Sequence, residues 1–274
     1  MNAVQSLLEN GADIMAVDRE RNTALHLACL NGQDDVMDEL LSVGEDILNS
    51  PNQIGFTPLH FAACSANGAA CLEALVAYQG PVLDITDYSN ASSMSEFEVP
   101  KLDINATDNY GRTPLHMAAK FGRALRIQEL LRVGALPNVS DKQMMTPLHY
   151  AVRSGQSQVI EILLSLPEID ANMMDLAGMT VLHHAAFFGL STVVGTLLKT
   201  GKNSGVAKTA NPAIHDITGR FPHFLAAYSG NVDCLRLLFP ANNSYLSTVL
   251  DNFERSPLHY AGMSAYFWRM SQST

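Results

Sequence analysis

Apolar and small residues fall into short phrases that recur along the chain as NTALHLAC, FTPLHFAA, GRTPLHMAAKFG, MTPLHYAV, MTVLHHAA and RSPLHYAG. In the third phrase Leu115 faces inward, and Ala118 and Ala119 leave room for a neighbouring helix to come close. A second apolar stretch follows, closed by Leu40-Leu41, Leu130-Leu131, Leu163-Leu164 or Leu197-Leu198. The pattern predicts pairs of short helices, an inner one and a return one. Thr113 suits the N-cap, because its hydroxyl can accept from free N–H groups of the first turn, and Pro114 suits the next position, where no N–H is missed. Gly122 ends the inner helix in a left-handed conformation, and Gly134 stops the return helix.

Taking the threonine as a mark places equivalent residues at Thr23, Thr57, Thr113, Thr146, Thr180, Phe221 and Ser256. Their separations are 34, 56, 33, 34, 41 and 35 residues, a unit of about 33 with two insertions. Asp18, Asp108, Asp141, Asp175, Asp216 and Asp251 stand five residues before their marks, where a carboxylate can accept from turn N–H groups; Asn52 breaks the run. The period and the phrase T-P-L-H-x-A-A resemble the ankyrin repeat over nearly the whole chain. The fold class so implied is an all-α repeat solenoid of helix-turn-helix pairs joined by short β-hairpin or turn connections. About six complete repeats are expected, with partial ones at the ends. The repeat array should run over 1–264, divided as 1–17 (partial), 18–51, 52–84, 103–140, 141–174, 175–201, 216–250 and 251–264 (partial). Between these lie an insertion expected to be disordered at 85–102 and a loop at 202–215, and a divergent tail occupies 265–274. Because the array starts and stops mid-repeat, it reads as a section of a longer one.

The first insertion carries the spacer TDYSNASSMSEFEVPK, too polar to offset the entropy of ordering. Ser93 and Ser95 each precede a glutamate by three, a pattern acidophilic kinases favour.

Candidate chemistry is thin. Six of nine histidines (His26, His60, His116, His149, His183, His259) share the position three after the mark, which suits a hydrogen-bonded structural ring rather than a nucleophile or ligand. The pair His183-His184 and the neighbours His60 and Cys64 lack the further ligands a zinc site needs. No phosphate loop, dinucleotide fingerprint or H-E-x-x-H occurs, so no catalytic, cofactor or metal residue is assigned and the chain is read as a non-enzyme. Cys29, Cys64, Cys71 and Cys234 are scattered; the first two occupy alanine-like inner-helix positions and read as buried free thiols. Neither a membrane span nor a secretory leader is indicated, so the expected compartment is the cytoplasm, with the nucleus open. The triplets N-x-S/T at Asn90, Asn105, Asn138 and Asn242 are then chance matches.

In ankyrin stacks the turn tips and inner-helix ends line a concave surface, here the offsets −4, −3, −1, +7 and +8 from each mark. Those positions hold Arg19, Arg112, Lys120, Lys142, Arg153, Arg220 and Arg255 against one acid, Glu20, a balance of +6 on a chain whose net charge is −10. Interleaved with them are Ile54, Phe56, Tyr110, Phe121, Met145, Leu176, Met179, Phe187, Phe188, Ile217, Tyr228 and Phe253. The residues expected to bind a partner are Phe56, Tyr110, Arg112, Lys120, Phe121, Lys142, Met145, Arg153, Phe187, Phe188, Arg220, Tyr228, Phe253 and Arg255. A protein surface that is acidic and apolar fits them. Nucleic acid does not, given a pI near 5.3 and a sparse basic row.

The motifs NGQDDVMDELL, GFTPLHFAACSANGAACLEALV, FGRALRIQELL, GRFPHFLAAYSGNVDCLRLL and FERSPLHYA occur in that order, with Phe221-Pro222 in place of Thr-Pro. The series resembles the ankyrin repeat regulatory subunits of serine/threonine protein phosphatase 6. The resemblance implies a scaffold that docks a phosphatase catalytic subunit or associated protein in the groove, and the chain by itself is expected to be a monomer. The insertion at 85–102, the inverted His223-Phe224 pair and the tail depart from that family. An ankyrin adaptor, or the cytosolic part of a channel or acyltransferase, is the other reading.

Overall fold

The computed structural model describes residues 3–44, 46–78, 101–199, 210–239 and 248–263. The spacer at 85–100 with Ser93 and Ser95, residues 202–209 of the second insertion, and the tail 265–274 lie outside them. Among the described residues the elements with defined ends are α1 (Ala3–Glu9), α2 (Ala24–Asn31), α3 (Asp34–Val43), α4 (Pro58–Cys64), α5 (Ala69–Ala77), α6 (Pro114–Lys120), α7 (Ala124–Arg132), α8 (Pro147–Arg153), α9 (Ser157–Leu164), α10 (Val181–Phe187), α11 (Ser191–Lys199), α12 (Pro222–Tyr228) and α13 (Val232–Leu238). Residues 257–263 are helical as well. No strand forms among the described residues, only an isolated bridge at Asp170, so the connections are turns rather than hairpins. None of these helices is long and apolar enough to cross a membrane.

The chain divides into two compact units. The first comprises 1–118 and 125–136, the second 119–124 and 137–274. Within the first, α2 packs on α3 and α4, and α4 on α5; within the second, α10 packs on α8, α11 and α12, and α12 on α13. Leu25, Leu59, Leu115, Leu148 and Leu182 are buried, as are the small pairs Ala62-Ala63, Ala118-Ala119 and Ala185-Ala186. Small residues let inner helices pack closely, and each buried leucine removes enough apolar surface to stabilise the fold by roughly 1.5–3 kcal/mol. Cys29 and Cys71 are buried free thiols, while Cys64 is only half-buried.

Helix starts are held by histidine. His26 Nδ1 accepts the Thr23 backbone N–H at 3.1 Å and lies 2.8 Å from the Thr23 hydroxyl. Thr57–His60, Thr113–His116, Thr146–His149 and Thr180–His183 repeat the geometry. The ring thus fills the place that glutamate takes in a capping box. Because a backbone N–H can only donate, Nδ1 is the unprotonated nitrogen and Nε2 carries the proton. In three of these rings that second nitrogen reaches the next repeat: His26 Nε2–H donates to the Phe56 carbonyl at 2.9 Å, His60 to Arg112 at 2.9 Å, and His183 to Arg220 at 3.1 Å. One ring therefore caps its own helix and ties two repeats together.

The inverted His223-Phe224 pair changes this joint. Phe224 takes the histidine position, has nothing to donate, and is fully buried. It packs edge-on against Tyr260, ring centres 5.5 Å apart, and against Phe221 at 6.3 Å. Here the link between repeats is apolar.

Asparagines eight residues before the mark supply a third link. Asn49 donates to the Lys101 carbonyl and accepts the Asp103 N–H, both at 2.9 Å. Asn105 accepts from Leu136 at 2.9 Å, Asn138 donates to Glu168 at 2.6 Å, and Asn172 accepts from Asn211 at 2.7 Å. The amides of Asn105 and Asn138, which fall in glycosylation-like triplets, are thus used within the fold.

The histidines make stability depend on acid. Burial strips water from the rings and pushes His60, His149 and His183 from 6.5 down to about 4, and lowers His26 in the same direction. Between pH 6.5 and 4 the unfolded chain therefore binds more protons than the folded one, and stability falls as pH drops through that window. Each ring costs at most about 1.4 kcal/mol per pH unit there. Urea midpoints measured from pH 7.5 to 4.5 should be level above pH 6.5 and fall below it. A midpoint that stays level down to pH 4.5 would contradict the account.

Candidate protein-docking face

The turn before each inner helix is built around one side chain, exposed at Asp18 and buried or half-buried in the later turns. Asp108 Oδ1 accepts the backbone N–H groups of Tyr110 and Arg112 at 2.9 and 2.8 Å. Asp141, Asp175, Asp216 and Asp251 do the same for their own turns. The position two before the mark needs a left-handed backbone. Gly55 supplies it at φ +82°, where a Cβ would lie 2.7 Å from the Asn109 nitrogen. Arg21, Met144 and Glu254 adopt it at φ 62°, 59° and 61°, a strain of roughly 1–2 kcal/mol each.

The other carboxylate oxygen also needs a donor, and two positions can supply one. Where an arginine stands just before the mark, it forks onto Oδ2: Arg112 Nε and Nη2 lie 2.7 and 2.6 Å from Asp108, and Arg220 makes the same two distances to Asp216. Where that position is a methionine, the donor comes from the residue four after the mark. Tyr150 Oη–H donates to Asp141 at 2.7 Å, and His184 Nε2–H to Asp175 at 2.8 Å. Asp251 takes both, Arg255 Nε at 2.9 Å and the Tyr260 hydroxyl at 2.7 Å. In the Asn52 turn Phe56 and Phe61 occupy the two donor positions and have nothing to give. A neutral amide stands there instead, its Oδ1 taking the two turn N–H groups and its Nδ2 donating to Asn22 Oδ1 at 2.8 Å. Burial alone would raise the carboxyls of Asp175, Asp216 and Asp251; bonds from His184, Arg220 and Arg255 outweigh it and hold all three below the ordinary value.

These turns sort the residues expected to bind a partner. In the first unit Tyr110 is exposed, but Phe56 is buried and Arg112 is folded over it, its guanidinium 5.4 Å from the Phe56 ring and 4.8 Å from Tyr110. In the second unit Met145 is buried, with Arg153 Nη1 3.0 Å from its sulfur. Phe56 and Met145, each only 7% exposed, are therefore interior residues rather than surface anchors. The position before the mark folds back over the turn side chain, so offset −1 is largely inside. Arg112, Arg220 and Arg255 neutralise Asp108, Asp216 and Asp251, whose side chains are 0% exposed. Counting those three aspartates cuts the balance of +6 on this face to +3.

What remains outward is more compact. Lys120, Lys142 and Arg153 are exposed, and Lys120 sits 5.6 Å from the centre of the exposed Phe121 ring. Phe187 and Phe188 are exposed and meet edge-on at 5.1 Å, and Phe187 stacks on the half-buried Tyr228 at 6.2 Å. Phe253 is exposed under Arg255, 4.6 Å from its guanidinium, which also covers Tyr260 at 4.9 Å. A cavity of about 290 Å³ in the second unit brings together Arg153, Phe187, Phe188 and Arg220 from the expected set, with Asp175, Met179, His184 and Leu225. His184, Leu225 and Asp175 escaped the sequence reading as lining residues. For His184 and Leu225 the signal is the offset four after the mark; Asp175 is one of the aspartates five before it.

Within each unit, backbone bonds join a tip to the one before it. Gln53 N–H donates to Glu20, Asn109 to Ile54, Leu176 to Gln143, Ile217 to Ala177 and Asn252 to Thr218, all at 2.8–3.1 Å. This main-chain register leaves the tip side chains Ile54, Tyr110, Leu176, Ile217 and Phe253 exposed.

Paired helices, buried turn carboxylates and a repeated cap define an all-α repeat protein of the solenoid class. The model for ankyrin repeats in three copies matches residues 1–87, 90–175, 126–208 and 182–268, and the chain belongs to the ankyrin repeat family. It is 32% identical over 164 residues to the human transient receptor potential cation channel subfamily A member 1, which covers 58% of this chain and 14% of that protein. It is 28% identical over 278 residues to the ankyrin repeat protein nuc-2 of Neurospora crassa, with shares of 96% and 24%. It is 33% identical over 137 residues to alpha-latrotoxin-Lg1a of Latrodectus geometricus, with shares of 44% and 10%. The chain thus spans about a quarter or less of the relatives it matches.

The donor rule makes a sharp prediction. Asn52→Asp places a carboxylate between two phenylalanines and opposite the Asn22 oxygen, and should destabilise the first unit by about 1–3 kcal/mol. Adding Phe56→Arg recreates the Asp108–Arg112 fork and should recover most of that loss. Equal denaturation midpoints for Asn52→Asp and the parent chain would refute the rule.

Proposed function

We propose that this chain is a non-enzymatic scaffold segment that docks a protein partner on the face formed by its turn tips and inner-helix ends, and that the partner surface is acidic and apolar. The observation that carries the reading is the pairing of exposed cations with exposed aromatics at the same offsets of successive inner helices: Lys120 with Phe121, and Arg153 near Phe187 and Phe188. Aromatic and arginine side chains supply most of the energy at protein interfaces, and rim charges supply encounter rate. The arginines forked onto turn aspartates do structural work and add little field. A family of binding repeats and relatives several times longer fit a segment that presents a surface within a larger protein.

Two finer readings follow. The order of motifs that resembles phosphatase 6 regulatory subunits supports a phosphatase scaffold, with the catalytic subunit or an associated protein as partner. The 32% identity to a cation channel subunit supports a segment of a larger channel-like protein instead. Affinity capture followed by mass spectrometry separates them, since only the first expects a phosphatase 6 catalytic subunit in the captured complex.

The face is tested with the captured partner by surface plasmon resonance at two salt concentrations. Neutralising Lys120, Lys142 and Arg153 together to glutamine should slow association and flatten its salt dependence. Replacing Phe187 and Phe188 by alanine should speed dissociation, at roughly 1–4 kcal/mol for a true anchor. Asp35→Lys with Asp38→Lys on α3 should bind normally. If the α3 pair abolished binding while both other variants bound as the parent does, the docking face would be misplaced.

A further inference from the structure

The cavity of the second unit has the shape and chemistry of a socket for one side chain. At about 290 Å³ it falls just below the volume of pockets that hold whole small molecules. Its walls are Met179, Phe187, Phe188 and Leu225. Phe187 is held in position by its stack on Tyr228 and its edge contact with Phe188, so the wall is formed before anything binds.

The other polar groups around the socket, Asp175, His184 and Arg220, already have partners. Asp175 is used on both oxygens, Oδ1 by the N–H groups of Ala177 and Met179 at 2.9 Å and Oδ2 by His184 at 2.8 Å. Arg220 is forked onto Asp216. Arg153 differs. Its recorded hydrogen bond goes to a thioether sulfur, a weak acceptor, and among the described residues no carboxylate lies within ion-pair distance of it. An exposed guanidinium with its fork unmatched, beside a preformed apolar socket, is complementary to a carboxylate next to a large apolar group.

We infer that the socket receives the aromatic or branched side chain of an internal segment of a protein partner, and that an aspartate or glutamate adjacent to it pairs with Arg153. This deepens the docking reading above and rests on it. Arg153 stands seven residues after its mark, outside the two donor positions of the turn, and the Asp141 turn is already served by Tyr150.

The probe is the capped peptide acetyl-Gly-Glu-Phe-Gly-amide, titrated into the full chain carrying labelled methionine and leucine methyl groups. Its blocked ends leave the glutamate as the one carboxylate. Saturable shifts should appear at the Met179 and Leu225 methyls. Glutamine in place of glutamate, or Arg153→Gln in the protein, should weaken binding by about tenfold, as expected for a charge-assisted pair. Arg153→Lys should fall between, and alanine in place of phenylalanine should remove the shifts. Arg153 is exposed, so these variants should keep the parent circular dichroism spectrum. Arg236→Gln on α13 should bind as the parent does.

Equal affinity for the glutamine peptide, equal affinity with Arg153→Gln, or no saturable shift up to about 10 mM would overturn the inference. So would binding that needs an uncapped C-terminus, since the carboxylate would then come from a chain end. Loss of this peptide with partner binding still dependent on Phe187 removes the socket and leaves the docking face standing. Peptide binding with partner binding indifferent to Phe187, Phe188 and Arg153 does the reverse.

Discussion

A carboxylate buried in a turn must find donors for both of its oxygens, and the arrangement of this protein follows from how it finds them. One oxygen is served by the turn's own backbone. The second takes whichever side chain the sequence offers, arginine before the mark or tyrosine or histidine after it. That choice decides whether the residue before the mark is a cation bound to the turn. Arg112, Arg220 and Arg255 belong to the turns, whereas Lys120 and Arg153 belong to the surface. Removing a turn arginine would leave a fully enclosed charge without a counterion, a far larger perturbation than losing a surface one.

The histidines work by a related logic at the next level. A ring whose Nδ1 accepts from its own helix start has a proton on Nε2 to give away, and the nearest acceptor belongs to the following repeat. Local capping and stacking are thus coupled through one side chain. Phe224 shows that the coupling is replaceable, because Tyr260 offers apolar packing where a hydrogen bond is missing. The joint there keeps its burial without that hydrogen bond.

The helix pairs, the structural role of the histidines and the regular aspartates are legible in the chain because each is written several times over. Noise at one repeat, such as Phe221 for threonine, is corrected by the others. Which face residues lie outside is less legible. Offsets from the mark place Tyr110, Phe121, Phe187 and Phe253 correctly on the outside, but they also include Phe56 and Met145, which the backbone turns inward. The residue at offset −1 folds back over the turn whatever its type, a direction the offset itself does not reveal. Asn52 is a further case. It looks like a lapse in the pattern until Phe56 and Phe61 are seen to withhold both donors.

The tip-to-tip bonds carry one more implication. They run through main-chain atoms, from N–H to carbonyl, so they hold whatever residue occupies the tip. Tips such as Ile54, Leu176 and Ile217 can therefore be rewritten one at a time without disturbing the stack beneath them. In such a molecule the exposed lettering and the grammar of folding are kept on separate atoms, and a lineage can change the one while leaving unchanged how the other stands.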